Sequence, residues 1–220
     1  MNILAIDTST RYAAVCLMTK DEKRYSICWY SDQNHGVELM PNINKLLIKA
    51  KITPKNISHI SVCLGPGGFS AIRTGIATTI GIAMANNATV YGFNTHIIES
   101  LPHTKIFREE IISLIPAGKN IYSWAKFNTF STKKTTNEGV DNLETILKFN
   151  NNVLFCGESS LNLNGIIESK KILTKSLPSR DPNIMLDLSK DIVEKNSFFK
   201  LGELKPIYSR QPSISKPKYK

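Results

Sequence analysis

Two polar segments of the chain contain residue types that can hold a phosphate. The first is residues 7–10, Asp-Thr-Ser-Thr, which directly follow a short apolar run. An aspartate at a strand end, followed by hydroxyl residues in a tight turn, can hold a metal-bound phosphate through hydroxyls and backbone N–H groups. The same residues can also form a capped turn in which Asp7 accepts hydrogen bonds from nearby backbone. The segment alone leaves both interpretations open.

The second segment is residues 65–75, which read Gly-Pro-Gly-Gly-Phe-Ser-Ala-Ile-Arg-Thr-Gly. Glycines at a strand-to-helix junction let backbone approach closely, and a helix N-terminus offers free N–H groups to an anion. The spacing differs from Gly-x-x-x-x-Gly-Lys, so a P-loop NTPase is disfavoured. Small side chains on one face of the following helix favour tight packing over phosphate binding. We therefore interpret the two segments as a degenerate phosphate loop, with these positions: Asp7, Thr8, Ser9, Gly65, Gly67 and Gly68.

The histidines and cysteines show no spacing typical of a metal site or a nucleophile. Two histidines four residues apart on a helix can hold one ion, but Leu39 stands four positions after His35. The cysteines form no Cys-x-x-Cys pair. No Ser/His/Asp or Cys/His arrangement is recognisable. We predict neither a metal site nor catalytic residues in this chain.

Apolar periodicity predicts an α/β unit in the first hundred residues. Strand-like runs at 2–7, 12–18 and 24–30 predict an antiparallel meander. Helical spacing then predicts a helix over 37–50, with Pro41 in its first turn. A buried strand, a second helix over 70–85 and a further strand complete a mixed sheet. Later in the chain we expect strands near 111–115, 121–127 and 153–156, a loop over 128–140, and a helix capped by Asp181.

The net charge and the hydropathy of the chain indicate which kind of partner and which compartment to expect. The formal net charge is +10 over 220 residues. Nine Lys and Arg stand against six Asp and Glu in residues 1–100, and nineteen against twelve in residues 101–220. This excess favours a polyanion such as tRNA, although a generic lysine-rich surface would look the same. No apolar stretch approaches the length of a membrane span, and the start does not resemble a signal peptide, so we expect a cytoplasmic protein.

Several segments together resemble the TsaB/YeaZ family. Residues 3–10 read like the family's start, and His35 precedes a helix with Met40-Pro41 where the family has a His-Ser-x…Leu-Pro pattern. Residues 65–75 resemble the family's Gly-Pro-Gly-Ser-Phe-Thr-Gly-Leu-Arg-x-Gly. Residues 121–125 and 206–210, the latter Pro-Ile-Tyr-Ser-Arg, also fit. The match is strong over residues 1–100 and thin afterwards.

The resemblance implies an actin/sugar-kinase/Hsp70-like (ASKHA, RNase H-like) fold of two related lobes with mixed β-sheets. It implies a partner-binding lobe at 1–102 and a divergent lobe at 103–220 with a basic C-terminal tail. The implied function is a non-catalytic scaffold for the paralogue TsaD, together with TsaE, in threonylcarbamoyl transfer to tRNA adenosine (t6A formation). ATP and a metal would then belong to the partner subunits. The alternatives are an active kinase or ATPase of the same fold, or a glycoprotease-like hydrolase.

The same resemblance suggests that the two helices of the first lobe form the partner-binding face. Its predicted members are Met40, Ile43, Leu46, Leu47, Ala71, Gly75 and Thr78. Without the partner, this face could pair two copies of the chain, since a two-fold contact is self-complementary. We expect Gly75→Leu to leave a folded protein that no longer binds TsaD. In the competing interpretation these residues face the chain's own sheet, and periodicity cannot separate the two.

Overall fold

A computed structural model describes residues 1–128, 135–149, 152–194 and 204–210. Its first sheet has five strands in the order β3-β2-β1-β4-β5. Their bounds are β1 Ile3–Asp7, β2 Tyr12–Met18, β3 Arg24–Tyr30, β4 His59–Gly65 and β5 Thr89–Asn94. Strand β2 pairs antiparallel with both β1 and β3, while β1–β4 and β4–β5 are parallel pairs. The predicted meander and mixed sheet are therefore confirmed.

Helices cover both faces of this sheet. Helices α1 (His35–Ala50) and α2 (Phe69–Asn86) pack on one face, and α5 (Asn183–Glu194) packs on the other. Every residue of β1 is buried because successive side chains alternate between the two faces. Leu4 and Ile6 join the core under α1 and α2, whereas Ile3 and Ala5 join the core under α5.

A second sheet repeats the plan of the first with four strands. It comprises β6 Glu110–Gly118, β7 Ile121–Phe127, β8 Thr135–Asp141 and β9 Val153–Cys156, in the order β8-β7-β6-β9. Like β1, strand β6 is antiparallel to the next strand in sequence and parallel to the strand on its other side. Helix α3 (Thr95–Thr104) leaves the first sheet and packs against β6 and β7, while the short α4 (Leu143–Ile146) joins the core of the second sheet. The two lobes are therefore built alike.

Two local expectations were wrong. Helix α1 begins at His35, so Pro41 lies inside it and not in its first turn. The fold tolerates this because Pro41 and Val37 lie on the exposed side, where water can bond the Val37 carbonyl that the proline leaves without a donor. Residues 135–141 form strand β8, where we expected a loop, because they pair with β7.

The expected division at residue 102 stays a prediction, but one element assigned to the second lobe packs on the first. Helix α5 buries Met185 and Leu186 against the first sheet. The polypeptide therefore returns to the first lobe after building the second. The tail residues Lys216, Lys218 and Lys220 lie outside the described residues. No helix within the described ranges is long and apolar enough to cross a membrane.

Candidate functional site

The turn after β1 is buried, and two hydrogen bonds within it occupy one carboxylate oxygen of Asp7. Asp7 is 3% exposed, and its Oδ1 accepts hydrogen bonds from the Ser9 backbone N–H at 2.9 Å and the Ser9 hydroxyl at 2.7 Å. The Thr8 hydroxyl donates to the Ala71 carbonyl at 2.7 Å, which fastens the turn to the start of α2. This is the capped turn that was one of the two interpretations of the segment.

The other oxygen of Asp7 is taken by Arg180, which comes from just before α5. Arg180 Nε donates to Asp7 Oδ2 at 2.7 Å, and its Nη1 donates to Glu99 Oε1 at 2.9 Å. Its Nη2 donates to the Thr10 hydroxyl at 2.7 Å and the Tyr12 carbonyl at 3.0 Å. The guanidinium therefore lies where a metal or phosphate would have to approach Asp7. Both Asp7 oxygens already have partners from this chain.

The charges in this cluster depend on one another because all three side chains are buried. Burial alone would raise the pKa of Asp7, but the Arg180 guanidinium and the Ser9 bonds outweigh it, and the pKa lies below its usual range. Burial raises the pKa of Glu99, and Arg180 with Ser179 offsets only part of that rise. Glu158 Oε2 lies 3.7 Å from Arg180 Nη1 as a third, more distant carboxylate. One arginine thus balances several acidic groups.

The glycine-rich segment packs on this turn and on the end of the described chain. A side chain at Gly67 would place its Cβ 2.0 Å from the Ser9 carbonyl oxygen, and the Gly68 N–H donates to that oxygen at 2.7 Å. Gly65 has φ +102°, and a Cβ there would lie 2.4 Å from the Ile207 carbonyl oxygen. The structure brings the predicted loop positions together, but as packed backbone. This agrees with the preference for packing over phosphate binding.

Residues 204–210 hold the start of α2 from outside. The Ile207 N–H donates to the Leu64 carbonyl at 2.7 Å. Tyr208 stacks on Phe69 with ring centroids 4.7 Å apart, and its hydroxyl accepts from Arg73 Nε at 2.8 Å. The guanidinium of Arg73 lies 3.8 Å from the Phe69 ring centroid. These contacts give the Pro-Ile-Tyr-Ser-Arg segment a structural role that its sequence match alone did not reveal.

A cavity of about 490 Å³ remains outside the closed turn. It lies between the starts of α1 and α2 and the second lobe, and Ser9, Thr10, Ser70 and Glu158 contribute to its wall. His35 also lines it but is 5% exposed, with its Nε2 2.9 Å from the Thr10 carbonyl oxygen. His35 therefore anchors α1 to the turn.

Most of the predicted partner-binding face is buried in this chain's own core. Ile43, Leu46 and Leu47 are 1%, 0% and 3% exposed. A Cβ at Gly75 would lie 2.5 Å from Thr8 Oγ1. These four positions face the first sheet, as the competing interpretation had it, because the apolar stripe of an amphipathic helix covers its own core. The prediction is corrected for them.

Of the remaining predicted members, Met40 is 50% exposed, while Ala71 and Thr78 are half-buried. Other apolar side chains of α1 and α2 point away from the sheet: Val37 is 73%, Ile48 67% and Met84 70% exposed. A Cβ at Gly81 would meet nothing within 4 Å. We call Val37, Met40, Ile48, Gly81 and Met84 the outer face. Between the helices an apolar groove of about 350 Å³ is lined in part by Met40, Pro41 and Ile82.

Comparison with known proteins identifies the family to which this chain belongs. The family model described as "TsaD: tRNA N6-adenosine threonylcarbamoyltransferase" matches residues 30–195. A relative named tRNA threonylcarbamoyladenosine biosynthesis protein TsaB, from Buchnera aphidicola subsp. Schizaphis graminum, is 28% identical over 147 residues, which are 66% of this chain and 70% of the relative. The chain belongs to the TsaB/YeaZ family. The Bacillus subtilis protein of the same name is 36% identical over 76 residues, 34% of this chain and 33% of that protein.

A solved structure confirms the fold class. YeaZ from Pseudomonas aeruginosa superposes with a TM-score of 0.73, covering 94% of this chain and 99% of its own, at 19% sequence identity. The α/β ASKHA fold of two related lobes with mixed sheets is therefore confirmed. The family resemblance inferred from the motifs is confirmed as well, and it links the chain to proteins named for tRNA threonylcarbamoyladenosine biosynthesis.

Arg180 and Glu99 are the site residues that sequence reasoning missed. They lie 173 and 92 positions from Asp7, in segments without a motif. A buried cation so far along the chain leaves no local pattern, because its partners are fixed only by the packing of α3 and α5. The one available signal was Glu99 itself, the single acidic residue of helix α3.

Proposed function

We propose that this chain is a non-catalytic subunit that supports threonylcarbamoyl transfer to tRNA adenosine by pairing with a TsaD-type subunit in the cytoplasm. The observation that carries the proposal is the position of Arg180, which fills the space beside Asp7 that we call the cleft. Its guanidinium and Ser9 together occupy both oxygens of Asp7. A kinase or ATPase of this fold would need that carboxylate free to hold a metal-bound phosphate.

Opening the cleft for a nucleotide would break several buried contacts at once. Arg180 would have to leave Asp7, Glu99 and Thr10, and residues 67–68 would have to separate from the Ser9 carbonyl. Leaving buried charges without partners costs about 3–5 kcal/mol. We therefore assign ATP, the metal and the transfer chemistry to the partner subunits, TsaD and TsaE.

The outer face of α1 and α2 supports the pairing step. Its large side chains are half to three-quarters exposed on helices already anchored to the sheet on their opposite side. Small residues such as Gly81 between them let a second helix pair come close. An equivalent face on a TsaD-type paralogue would complete a helical bundle, and in its absence two copies of this chain could pair through the same surface.

Gly81→Arg tests the pairing sharply. Gly81 is exposed within a helix, so arginine there raises helix propensity by about 0.8 kcal/mol while adding a bulky charge to the outer face. We expect the variant to be at least as stable as the parent but to lose binding to the TsaD-type subunit, measured by co-purification and calorimetry. Retained binding would move the interface away from these helices.

Met84→Glu and Ile106→Glu form a matched pair for the same experiment. Both side chains are strongly exposed, at 70% and 72%, but only Met84 lies on the outer face. We expect Met84→Glu to weaken pairing at least tenfold, because an interface would have to desolvate a new carboxylate. Ile106→Glu should leave pairing unchanged. Equal effects from the two variants would indicate a nonspecific consequence of surface charge.

A further inference from the structure

A polar cavity of about 520 Å³ lies at the opposite end of β1 from Arg180. Its wall includes Lys20 and Lys23 of the β2–β3 turn, and Lys49 and Lys51 at the end of α1. Asp21 is the single acidic residue that lines it. Four lysines against one aspartate give the wall a formal charge of +3. Two separate elements therefore direct cationic side chains to one concave place.

Hydrogen bonds fix the base of this lysine cavity. The Asn2 side chain accepts from the Lys20 backbone N–H at 2.8 Å and donates to the Asn56 carbonyl at 2.8 Å, so it ties the turn to the 3-10 turn Pro54–Asn56. The Thr19 N–H donates to the Lys23 carbonyl at 3.0 Å, which closes the β2–β3 turn. The Cα positions of the lysines are thus set by the fold, while their side chains can adapt.

Neighbouring residues balance only part of the positive charge of the cavity. Within the part of the chain that the structure describes, no ion pair involves any of the four lysines. The nearby Glu22 is already engaged by Lys190 at 2.6 Å. Grouped cations without counter-charges concentrate anions at a surface. The C-terminus of α1 adds partial negative charge, but its last carbonyls are bonded by the N–H groups of Lys51 and Ile52.

We propose that the lysine cavity binds backbone phosphates of tRNA while the partner subunit acts on the adenosine. The inference rests on the proposed function, since it deepens how this subunit supports the reaction. Lysines that act as flexible point charges suit phosphates that need positioning without base recognition. The half-buried Tyr25 in the wall offers a ring on which a nucleotide can stack. The polar lining supplies no exposed apolar anchor of the kind that a membrane surface requires.

The test replaces the four lysines together, as Lys20→Gln, Lys23→Gln, Lys49→Gln and Lys51→Gln. Binding of an unmodified tRNA transcript is measured for the complex with the TsaD-type subunit, from 50 to 200 mM salt. Each phosphate contact in a single strand contributes about 0.7 to the slope of log affinity against log salt. We expect the slope to fall by about 3, and affinity at 100 mM salt to fall at least about tenfold.

A second quadruple variant serves as the matched control: Lys105→Gln, Lys119→Gln, Lys148→Gln and Lys205→Gln. These lysines are also exposed, but none lines the cavity. Because each variant replaces four lysines, the net charge changes equally in both. The control should keep most of the tRNA affinity. Equal losses in the two variants, or a loss only in the control, would overturn the proposal and assign binding to overall charge or to the second lobe.

Two further measurements separate this inference from the proposed function. The cavity variant should still pair with the TsaD-type subunit and should regain product formation at high tRNA concentration. Unchanged tRNA affinity with normal pairing would sink the cavity proposal and leave the scaffold role standing. Competition by inorganic tripolyphosphate should be weak, because the tRNA backbone spreads its phosphates over a longer path. Tripolyphosphate that binds as tightly as tRNA would contradict the assignment. Binding of anionic lipid vesicles to the cavity, without binding of tRNA, would contradict it as well.

Discussion

Arg180→Met removes the cation on which the closed cleft depends. The methionine keeps most of the apolar stem but leaves Asp7 and Glu99 buried without their arginine partner. It also removes the donors to the Thr10 hydroxyl and the Tyr12 carbonyl. Losing one partner of a buried ion pair costs about 3–5 kcal/mol. For a chain of this size, about 4 kcal/mol corresponds to a fall in melting temperature of about 10 °C.

The assay is urea and thermal unfolding of the full chain at pH 7 and at lower pH. Without Arg180, burial raises the pKa of both carboxyls, so protonation should relieve the defect as the pH falls toward 4. Adding Asp7→Asn and Glu99→Gln to Arg180→Met should recover most of the loss at pH 7. The control is Arg24→Met, whose pair with Asp187 is solvent-exposed and should contribute under about 1 kcal/mol.

A small and pH-independent loss from Arg180→Met would refute the reasoning. If the variant matched Arg24→Met in stability, the guanidinium would not balance the buried carboxylates. The cleft would then be free to open, and the main support for a non-catalytic role would be gone.

Three further predictions concern packing and pH. Gly75→Leu should destabilise the chain by at least about 1–3 kcal/mol in urea unfolding, because its Cβ would lie 2.5 Å from Thr8 Oγ1; a stable variant would contradict the core position. Gly67→Ala should cost a similar amount, since its Cβ would lie 2.0 Å from the Ser9 carbonyl oxygen, whereas Gly81→Ala should stabilise. Burial lowers the pKa of His96 to about 3, so the unfolded state gains a proton below pH 6.5 that the folded state does not. The free energy of unfolding therefore keeps this contribution above pH 6.5 and should fall by about 2 kcal/mol between pH 7 and pH 5 from this group alone. His96→Gln should abolish that part of the pH dependence, measured by urea unfolding.

The order of elements could be predicted from the sequence because it depends on local periodicity. The meander, helices α1 and α2 and the glycine-rich turn all show short-range patterns of apolar and small residues. The Arg180 cluster could not be predicted, since its members come from distant parts of the chain that meet only after α3 and α5 pack.

The predicted partner-binding face shows how apolar periodicity can mislead. The stripe of Ile43, Leu46 and Leu47 was visible in the sequence, but the pattern does not say whether a stripe covers the chain's own sheet or a partner. The exposed positions Ile48 and Met84 have apolar neighbours in the sequence that are buried, such as Leu47 and Ala83, so no sequence pattern distinguishes the exposed side chains from the buried ones. Only the packed arrangement of both helices identifies the outer face.

Reconstitution from purified subunits tests the non-catalytic role most directly. Formation of threonylcarbamoyladenosine on tRNA and release of phosphate from ATP are measured for this chain alone, for the TsaD-type subunit with TsaE, and for the three together. We predict no turnover by the chain alone and a strong increase in product when it joins the partner subunits. Sustained ATP hydrolysis by the chain alone, abolished by Asp7→Asn in a folded protein, would contradict the proposal.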